Sequence, residues 1–172
     1  ESPSYYAHLS ANENLHIVAT LLGIEQPRAA IQRALSIVGL SESDAKRRTG
    51  QYSLGMKQRL GIAVALVGSP DLLVLDEPTN GLDPAGIQEI RELIRMMPRE
   101  HGITVLISSH LLAEVDQTAT AVGVIHKGRL IFQGPIDDLR ARSRAHVLLE
   151  VGDVARALPA LAERGLPVTP AE

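Results

Sequence analysis

The sequence contains no cysteine and no tryptophan among its 172 residues. Without cysteine there is no disulfide framework and no thiolate metal site. Aromatic residues are also scarce, with three tyrosines and one phenylalanine, which argues against a surface that stacks bases. The net charge of -3 gives no basic surface for a phosphate backbone. The composition therefore predicts that nucleic acid is not a partner.

Long hydrophobic runs are absent as well. Residues 62–67 and 72–75 are among the longest apolar stretches, whereas a membrane-spanning helix needs about 20 such residues. The first residues, Glu1, Ser2 and Pro3, do not begin the basic and then apolar pattern of a secretory signal. We therefore expect any link to a membrane to go through a partner protein.

The first third of the chain has the periodicity of helices. Apolar residues recur at helical spacing in segments 15–22, 31–38 and 60–67. Ser10 or Asn12 is suited to cap the first of these helices, and Ser53 is suited to cap the third. A polar link is expected over residues 41–50.

Short apolar strands alternate with helices beyond residue 69. Residues 72–75 and 104–107 are continuously apolar, which predicts two strands buried on both faces. A helix between them is expected to end at Pro98, and Lys127-Gly128 is expected to turn a hairpin. This alternation predicts an α/β core with a parallel sheet.

Three domains are predicted from these patterns. Residues 1–68 form an α-helical subdomain, and residues 69–144 form an α/β core that ends in a short helix over 136–142. Residues 145–172 form a small β-α extension, with a strand over 147–151 and a helix over 154–164.

Two adjacent carboxylates, Asp76 and Glu77, directly follow the strand predicted over 72–75. The carboxyl ends of strands are where open α/β sheets bind ligands. Mg²⁺ prefers oxygen ligands, and one carboxylate beside a nucleotide suffices to hold it, which suits Asp76. The other carboxylate, Glu77, could orient or deprotonate an attacking water. The alternative is that both residues only cap the next turn.

Three segments resemble motifs of the ATP-binding-cassette (ABC) ATPases. Residues 76–84, Asp-Glu-Pro-Thr-Asn-Gly-Leu-Asp-Pro, resemble the end of the Walker B motif and the D-loop of that family. Residues 52–60, Tyr-Ser-Leu-Gly-Met-Lys-Gln-Arg-Leu, resemble its signature motif, and residues 107–110, Ile-Ser-Ser-His, resemble its switch-histidine segment. The motifs occur in the family's order, and the resemblance covers roughly residues 1–140.

The resemblance implies an ABC-type P-loop NTPase core, of which this chain carries the distal half together with the helical subdomain. It implies ATP and Mg²⁺ as cofactors, with Asp76 at the metal and Glu77 and His110 as catalytic residues. It also implies that Ser53, Gly55 and Asp83 meet the nucleotide held by a second subunit, and that Glu1 occupies the family's Q-loop position.

The signature motif departs from the family's commonest form, Leu-Ser-Gly-Gly-Gln. The same five positions are Tyr52, Ser53, Leu54, Gly55 and Met56 here. The serine and the second glycine are kept, and a helix N-terminus with a close-approach glycine suits a phosphate. Without the other motifs, Ser53 would be an ordinary helix cap. The variant resembles the antibiotic-export and bacitracin-resistance branch.

A phosphate-binding loop, Gly-x-x-x-x-Gly-Lys-Ser/Thr, does not occur in the 172 residues, because none of the lysines follows a glycine. We therefore expect the chain to be the C-terminal part of a longer subunit and to be inactive alone. Strand edges left without neighbours are expected to be covered by self-association or domain swapping.

The predicted function is ATP hydrolysis that drives transport, as an exporter. The expected partners are a second ABC ATPase subunit, in a homodimer or heterodimer, and transmembrane permease subunits. The expected location is the cytoplasmic face of the cell membrane, where the subunit would be peripheral. The transported substrate is not readable from this sequence.

Other functions were weighed against this one. A truncated cassette that only dimerises or regulates is the main alternative, favoured by the missing phosphate loop. A related ATPase acting on DNA or ribosomes is disfavoured, because the sequence shows no coiled-coil insertion or basic arm. A serine hydrolase is disfavoured because no Gly-x-Ser-x-Gly elbow is present.

Overall fold

The computed structural model describes residues 5–142, 149 and 151–165. The first part is helical and consists of α1 (Ala11–Leu21), α2 (Pro27–Ile37), α3 (Glu42–Lys46), a 3₁₀ turn (Thr49–Gln51) and α4 (Leu54–Leu66). Strands and helices follow as β1 (Leu72–Asp76), α5 (Pro84–Glu100), β2 (Thr104–Ser108), α6 (Leu112–Thr118), β3 (Ala121–His126), β4 (Arg129–Pro135), α7 (Ile136–Arg142) and α8 (Val154–Ala162).

The start of α1 is a capping box built on Ser10. The Ser10 hydroxyl accepts from the Glu13 backbone N–H, and the Glu13 carboxylate accepts from the Ser10 backbone N–H at 2.7 Å. Both bonds satisfy donors that a helix start leaves free. Of the two caps predicted for this helix, the structure uses Ser10.

The link predicted over residues 41–50 is instead mostly helical. Ser41 caps α3 by accepting from the Asp44 N–H at 3.1 Å, and a 3₁₀ turn follows at Thr49–Gln51. Thr49 is fully buried, and its hydroxyl donates to the Tyr6 carbonyl at 3.0 Å. The prediction failed because α3 is a single capped turn, too short to show an apolar period.

Strands β1 and β2 pair in parallel, as predicted, with Leu73 opposite Val105 and Asp76 opposite Ser108. The prediction that both strands are buried on both faces is wrong. Leu73 is 2% exposed and packs into the core, whereas Leu72 and Val74 are 53% and 63% exposed. Within the described residues, the α-helices cover one face of this strand pair and leave the other open.

Helix α5 continues past Pro98 to Glu100, so the predicted end at Pro98 is also wrong. A proline removes one backbone donor and crowds the carbonyl four residues before it. The position of Pro98 in the last turn limits the loss, and His101 still donates to the Met97 carbonyl at 3.1 Å.

A hairpin of β3 and β4 follows, as predicted, and turns at Lys127 and Gly128, whose φ angles are +48° and +74°. Positive φ at both central residues matches the right-handed twist of the strands. Helix α7 has the predicted bounds, and α8 lies within the predicted segment 154–164. The strand predicted over 147–151 falls largely outside the described residues.

One cluster of buried side chains joins the helical part to the strand part. Leu15, Val38 and Leu60 from the helices share this cluster with Leu73 of β1 and Ile90 of α5. The core therefore runs across the domain boundary predicted at residues 68–69. In the part of the chain that the structure describes, no helix is long and apolar enough to cross a membrane.

Candidate functional site

The carboxyl ends of β1 and β2 are held together by the Ser108 side chain. Its hydroxyl donates to Asp76 Oδ1 and accepts from the Glu77 backbone N–H at 3.0 Å. One side chain at the end of β2 therefore orients both carboxylate residues at the end of β1. In the sequence, Ser108 is marked only as part of the switch-histidine segment, and no pattern there predicts this role.

Glu77 adopts a left-handed backbone conformation with φ of +45°. That region is uncommon for a residue other than glycine, and it marks a sharp change of chain direction after β1. The Glu77 Oε1 atom lies 2.9 Å from Nδ1 of His110. The structure therefore brings the two predicted catalytic residues into direct contact.

The Glu77 and His110 side chains differ in their solvent exposure. The Glu77 side chain is 23% exposed, while the His110 side chain is 65% exposed. Much of the imidazole ring is thus accessible to a ligand, whereas the carboxylate is more sheltered. An acceptor-only carboxylate beside a mostly open imidazole suits the orientation of a water molecule or a phosphate.

A second set of polar contacts centres on Glu114, in the first turn of α6. Its Oε2 atom accepts from the Thr79 hydroxyl at 2.6 Å and from the Ser109 hydroxyl at 3.2 Å. Arg91 Nη2 of α5 lies 3.8 Å from its Oε1 atom. Sequence analysis missed Glu114, which is 7% exposed.

Asp83 is the N-cap of α5, and its Oδ1 atom accepts from the Gly86 N–H at 2.9 Å. Pro84 follows at the first helical position, where its missing donor costs nothing. Gly81, with φ of +74°, lies against the side chain of Leu54, because a Cβ placed on it would be 3.4 Å from Leu54 Cδ2. The segment before Asp83 therefore lies against the start of α4.

Ser53 caps α4 as predicted, with its hydroxyl accepting from the Met56 N–H at 3.3 Å. A Cβ placed on Gly55 would meet nothing within 4 Å, so space is open beside this first turn. Arg59, further along α4, donates to Glu89 Oε2 of α5 at 2.9 Å and to the Val38 carbonyl. These contacts set the direction in which the N-terminus of α4 points.

The oxygen ligands at Asp76 suit Mg²⁺ when a nucleotide supplies the remaining ligands. Among the described residues, no group of three or more acidic, histidine or cysteine side chains could enclose a metal ion. Asp76 and Ser108 nevertheless provide hard oxygen ligands at the paired ends of β1 and β2. Mg²⁺ usually keeps several of its water ligands and takes others from substrate phosphates. One carboxylate together with a bound nucleotide is therefore enough to complete its coordination.

Two further points concern the predicted site. Glu1, predicted at the Q-loop position, lies outside the described residues. A groove of about 940 Å³ lies between α1 and α2, bordered by Leu9, His16 and Ile31 among others, and none of the predicted site residues that the structure describes lines it. The chemistry predicted from the motifs is therefore not in this groove.

Comparisons with known proteins agree with this architecture. A family model described as "AAA domain, putative AbiEii toxin, Type IV TA system" matches residues 18–116, more than half of the chain. The bacitracin transport ATP-binding protein BcrA of Bacillus licheniformis is 49% identical over 92% of this chain and 51% of its own length. The lantibiotic transport ATP-binding protein SrtF of Streptococcus pyogenes is 50% identical over 80% of this chain and 58% of its own length.

Among solved structures, cbiO1 from Clostridium perfringens, described as part of the ABC transporter complex cbiONQ, is similar with a TM-score of 0.74 at 29% identity. The match covers 95% of this chain and 61% of that one. The chain belongs to this AAA-domain family and to the ABC ATPases. Within them it is similar to the ATP-binding proteins of bacitracin and lantibiotic transport, and it spans about half the length of those curated relatives.

Proposed function

We propose that this chain is part of the ATP-hydrolysing subunit of an ABC exporter. The observation that carries the proposal is the 2.9 Å contact between Glu77 and His110, beside Asp76 and at the ends of two parallel strands. ATP hydrolysis needs a group that orients the attacking water and a group that contacts the γ-phosphate. The rest of the catalysis consists of positioning the reactants and stabilising the charge of the transition state.

Each member of the site has a separate task. Glu77 orients the attacking water and accepts its proton. His110 donates from Nδ1 to Glu77. Contact of its Nε2 atom with the γ-phosphate requires a proton on Nε2 as well, because phosphate oxygens only accept hydrogen bonds. Asp76 would hold Mg²⁺, which would supply positive charge to the phosphates of the nucleotide.

Ser53, Gly55 and Asp83 are proposed to act on the nucleotide of a second subunit. Ser53 and Asp83 are exposed. Ser53 caps the N-terminus of α4, where free N–H groups and the helix dipole favour a phosphate, and Asp83 caps α5 with an anionic carboxylate. The open space beside Gly55 admits the close approach that such a contact needs. The partner is therefore a second ATPase subunit of the same kind.

The phosphate-binding loop is proposed to lie in a part of the protein outside these 172 residues. The support is the lack of the Gly-Lys-Ser/Thr motif, together with the half-length coverage of the relatives. That loop provides much of the affinity for the β- and γ-phosphates. The 172 residues alone are then expected to bind ATP poorly and not to hydrolyse it.

The remaining partners follow from the relatives. BcrA and SrtF are named for bacitracin transport and lantibiotic transport, so we propose an antibiotic of the bacitracin or lantibiotic kind as the cargo class. Permease subunits would carry this cargo, with the ATPase bound at the cytoplasmic face of the membrane. A cassette that only dimerises or regulates is the second candidate, favoured by the missing phosphate loop.

The test is a titration of Mg-ATP into the 172-residue chain and, in parallel, into the protein extended through the other half that its relatives carry. Binding and turnover by the extended protein alone are the expected result. Tight ATP binding by the 172 residues would show that the phosphate-binding loop is not the main source of affinity for ATP. Failure of both to bind would support the regulatory cassette.

A further inference from the structure

Glu114 is a buried carboxylate to which neither the motifs nor the proposed mechanism give a role. It lies in the first turn of α6 and is 7% exposed. Burial of a charged group is costly unless the group is paired and hydrogen-bonded. Glu114 meets both conditions, because it accepts two hydroxyl donors on Oε2 and faces Arg91 across 3.8 Å.

The two hydroxyl donors belong to the segments that carry the catalytic pair. Thr79 follows Glu77 by two residues and donates at 2.6 Å, and Ser109 directly precedes His110 and donates at 3.2 Å. The Ser109 hydroxyl also accepts from the Leu111 N–H at 3.1 Å. Glu114 therefore ties the loop after β1 to the loop after β2.

Packing alone does not hold the catalytic pair, since the His110 side chain is 65% exposed. Ser108 fixes the ends of the two strands, but the chain continues beyond these ends before it reaches Thr79 and His110. Glu114 is the group that joins these outer segments. The bond to Thr79 is short and buried, which makes it strong and directional.

The position of Glu114 is itself anchored by α5. Arg91 donates to Gln117 Oε1 at 2.6 Å and lies beside Glu114, so both residues of α6 are tied to the same arginine. The Arg91 side chain is 15% exposed. An ion pair this sheltered is screened less by salt than a surface pair.

We propose that Glu114 is a positioning residue that sets the contact between Glu77 and His110. This inference rests on the proposed function, in which that contact serves ATP hydrolysis. Glu114 does not touch the reacting atoms. It acts through Thr79 and Ser109, and its loss lets the two loops separate.

The first test uses NMR on the complete subunit, with Thr79→Val as the variant. This change keeps the shape of the side chain and removes the hydroxyl that donates to Glu114. Thr49→Val is the matched control, because Thr49 is also buried and also donates through its hydroxyl, but to the Tyr6 and Leu9 carbonyls. The readout is the ¹⁵N spectrum of the His110 ring, which reports whether Nδ1 or Nε2 carries the proton.

In the wild type the proton is expected on Nδ1, facing Glu77. Thr79→Val and Glu114→Gln are expected to shift His110 toward the Nε2–H form, and Thr49→Val is not. The glutamine amide cannot pair with Arg91 through its NH₂ group, because both are donors. An unchanged His110 spectrum in both Thr79→Val and Glu114→Gln would overturn the inference.

The second test measures ATP turnover in the complete subunit. Thr79→Val and Glu114→Gln are each expected to lower kcat by on the order of 10-fold with KM nearly unchanged, as for other outer partners of catalytic groups. The double variant should lose less than the product of the two single effects, because both act through one hydrogen bond.

The outcomes separate this inference from the proposed function. Normal kcat in both Glu114→Gln and Thr79→Val, with Glu77→Gln inactive, would overturn the role of Glu114 and leave the proposed function standing. Normal turnover in Glu77→Gln would remove the proposed function itself, and with it the catalytic role proposed for Glu114.

Discussion

His110 Nδ1 lies 2.9 Å from Glu77 Oε1, although 33 positions separate the two residues in the chain. A carboxylate only accepts, so the hydrogen bond requires the proton on Nδ1. We predict that the neutral His110 ring is the Nδ1–H tautomer. Long-range ¹H–¹⁵N spectra measure this directly.

Two comparisons control the tautomer measurement. Glu77→Gln is expected to return His110 toward the Nε2–H form that free imidazole side chains favour. His101, exposed at the end of α5, serves as the internal reference for an ordinary histidine. A wild-type His110 that matches His101 would contradict the contact between Glu77 and His110.

Leu72 and Leu73 are neighbours of the same type on opposite faces of β1, 53% and 2% exposed. Leu73→Ala is expected to lower the free energy of unfolding by about 2–5 kcal/mol, since it opens a cavity. Leu72→Ala is expected to cost less than about 1 kcal/mol, because its side chain is half open. Urea unfolding of the two variants measures the difference, and equal losses would show that β1 is buried on both faces.

Local features of the fold were predictable from the sequence because their causes are local. Ser53 as a helix cap and the turn at Lys127-Gly128 each depend on residues within one turn of the chain. The short helix α3 and the end of α5 past Pro98 were missed. In both cases hydrogen bonds within a single turn decide the structure, and no periodic pattern records them.

The sequence did not predict which faces of β1 and β2 are buried, because burial depends on what covers a strand and not on the composition of the strand. Glu114 was missed for a related reason, since its partner Thr79 lies 35 positions away and Arg91 belongs to another helix. The catalytic roles of Glu77 and His110 were expected through the motifs and the family resemblance, whereas their direct contact was not predicted. The geometry adds the atoms involved and the role of Ser108.

Ser53 and Ser10 cap two helices of similar length, 13 and 11 residues, through the same kind of side-chain hydrogen bond. Replacing either with alanine is expected to cost about 1 kcal/mol of stability. Only Ser53→Ala is expected to lower ATP turnover in the complete subunit, because only Ser53 is proposed to meet a nucleotide. Equal turnover in the two variants would contradict that role.

Tyr52 is 5% exposed, and its hydroxyl donates to the Asp44 carbonyl at 2.6 Å. Burial, and then the Asp44 carboxylate, raise the pKa of Tyr52 above its ordinary value of 10.0. Because the pKa of Tyr52 is raised in the folded state, the protonated Tyr52 side chain contributes to the stability of the fold. This contribution is complete below pH 10.0 and is lost as the pH rises through the pKa that Tyr52 has in the folded protein.

Tyr52→Phe is therefore expected to cost about 1 kcal/mol near neutral pH, through the lost hydrogen bond. The gap between the two proteins should shrink above the ordinary tyrosine pKa of about 10, because only the wild type loses stability by ionising Tyr52. Urea unfolding at several alkaline pH values measures this gap, with Tyr6→Phe, at an exposed tyrosine, as the control. A gap that is constant or widens would contradict the prediction.

ATP turnover by the complete subunit carrying Glu77→Gln tests the central claim most directly, with Glu92→Gln as the matched control. Glu92 is an exposed glutamate of α5 bonded to Gln88, so the control makes the same chemical change away from the site. The account predicts that Glu77→Gln lowers kcat by on the order of 100-fold or more while Mg-ATP still binds, and that Glu92→Gln is normal. Equal turnover in the two variants would contradict the assignment of Glu77 as the residue that activates water.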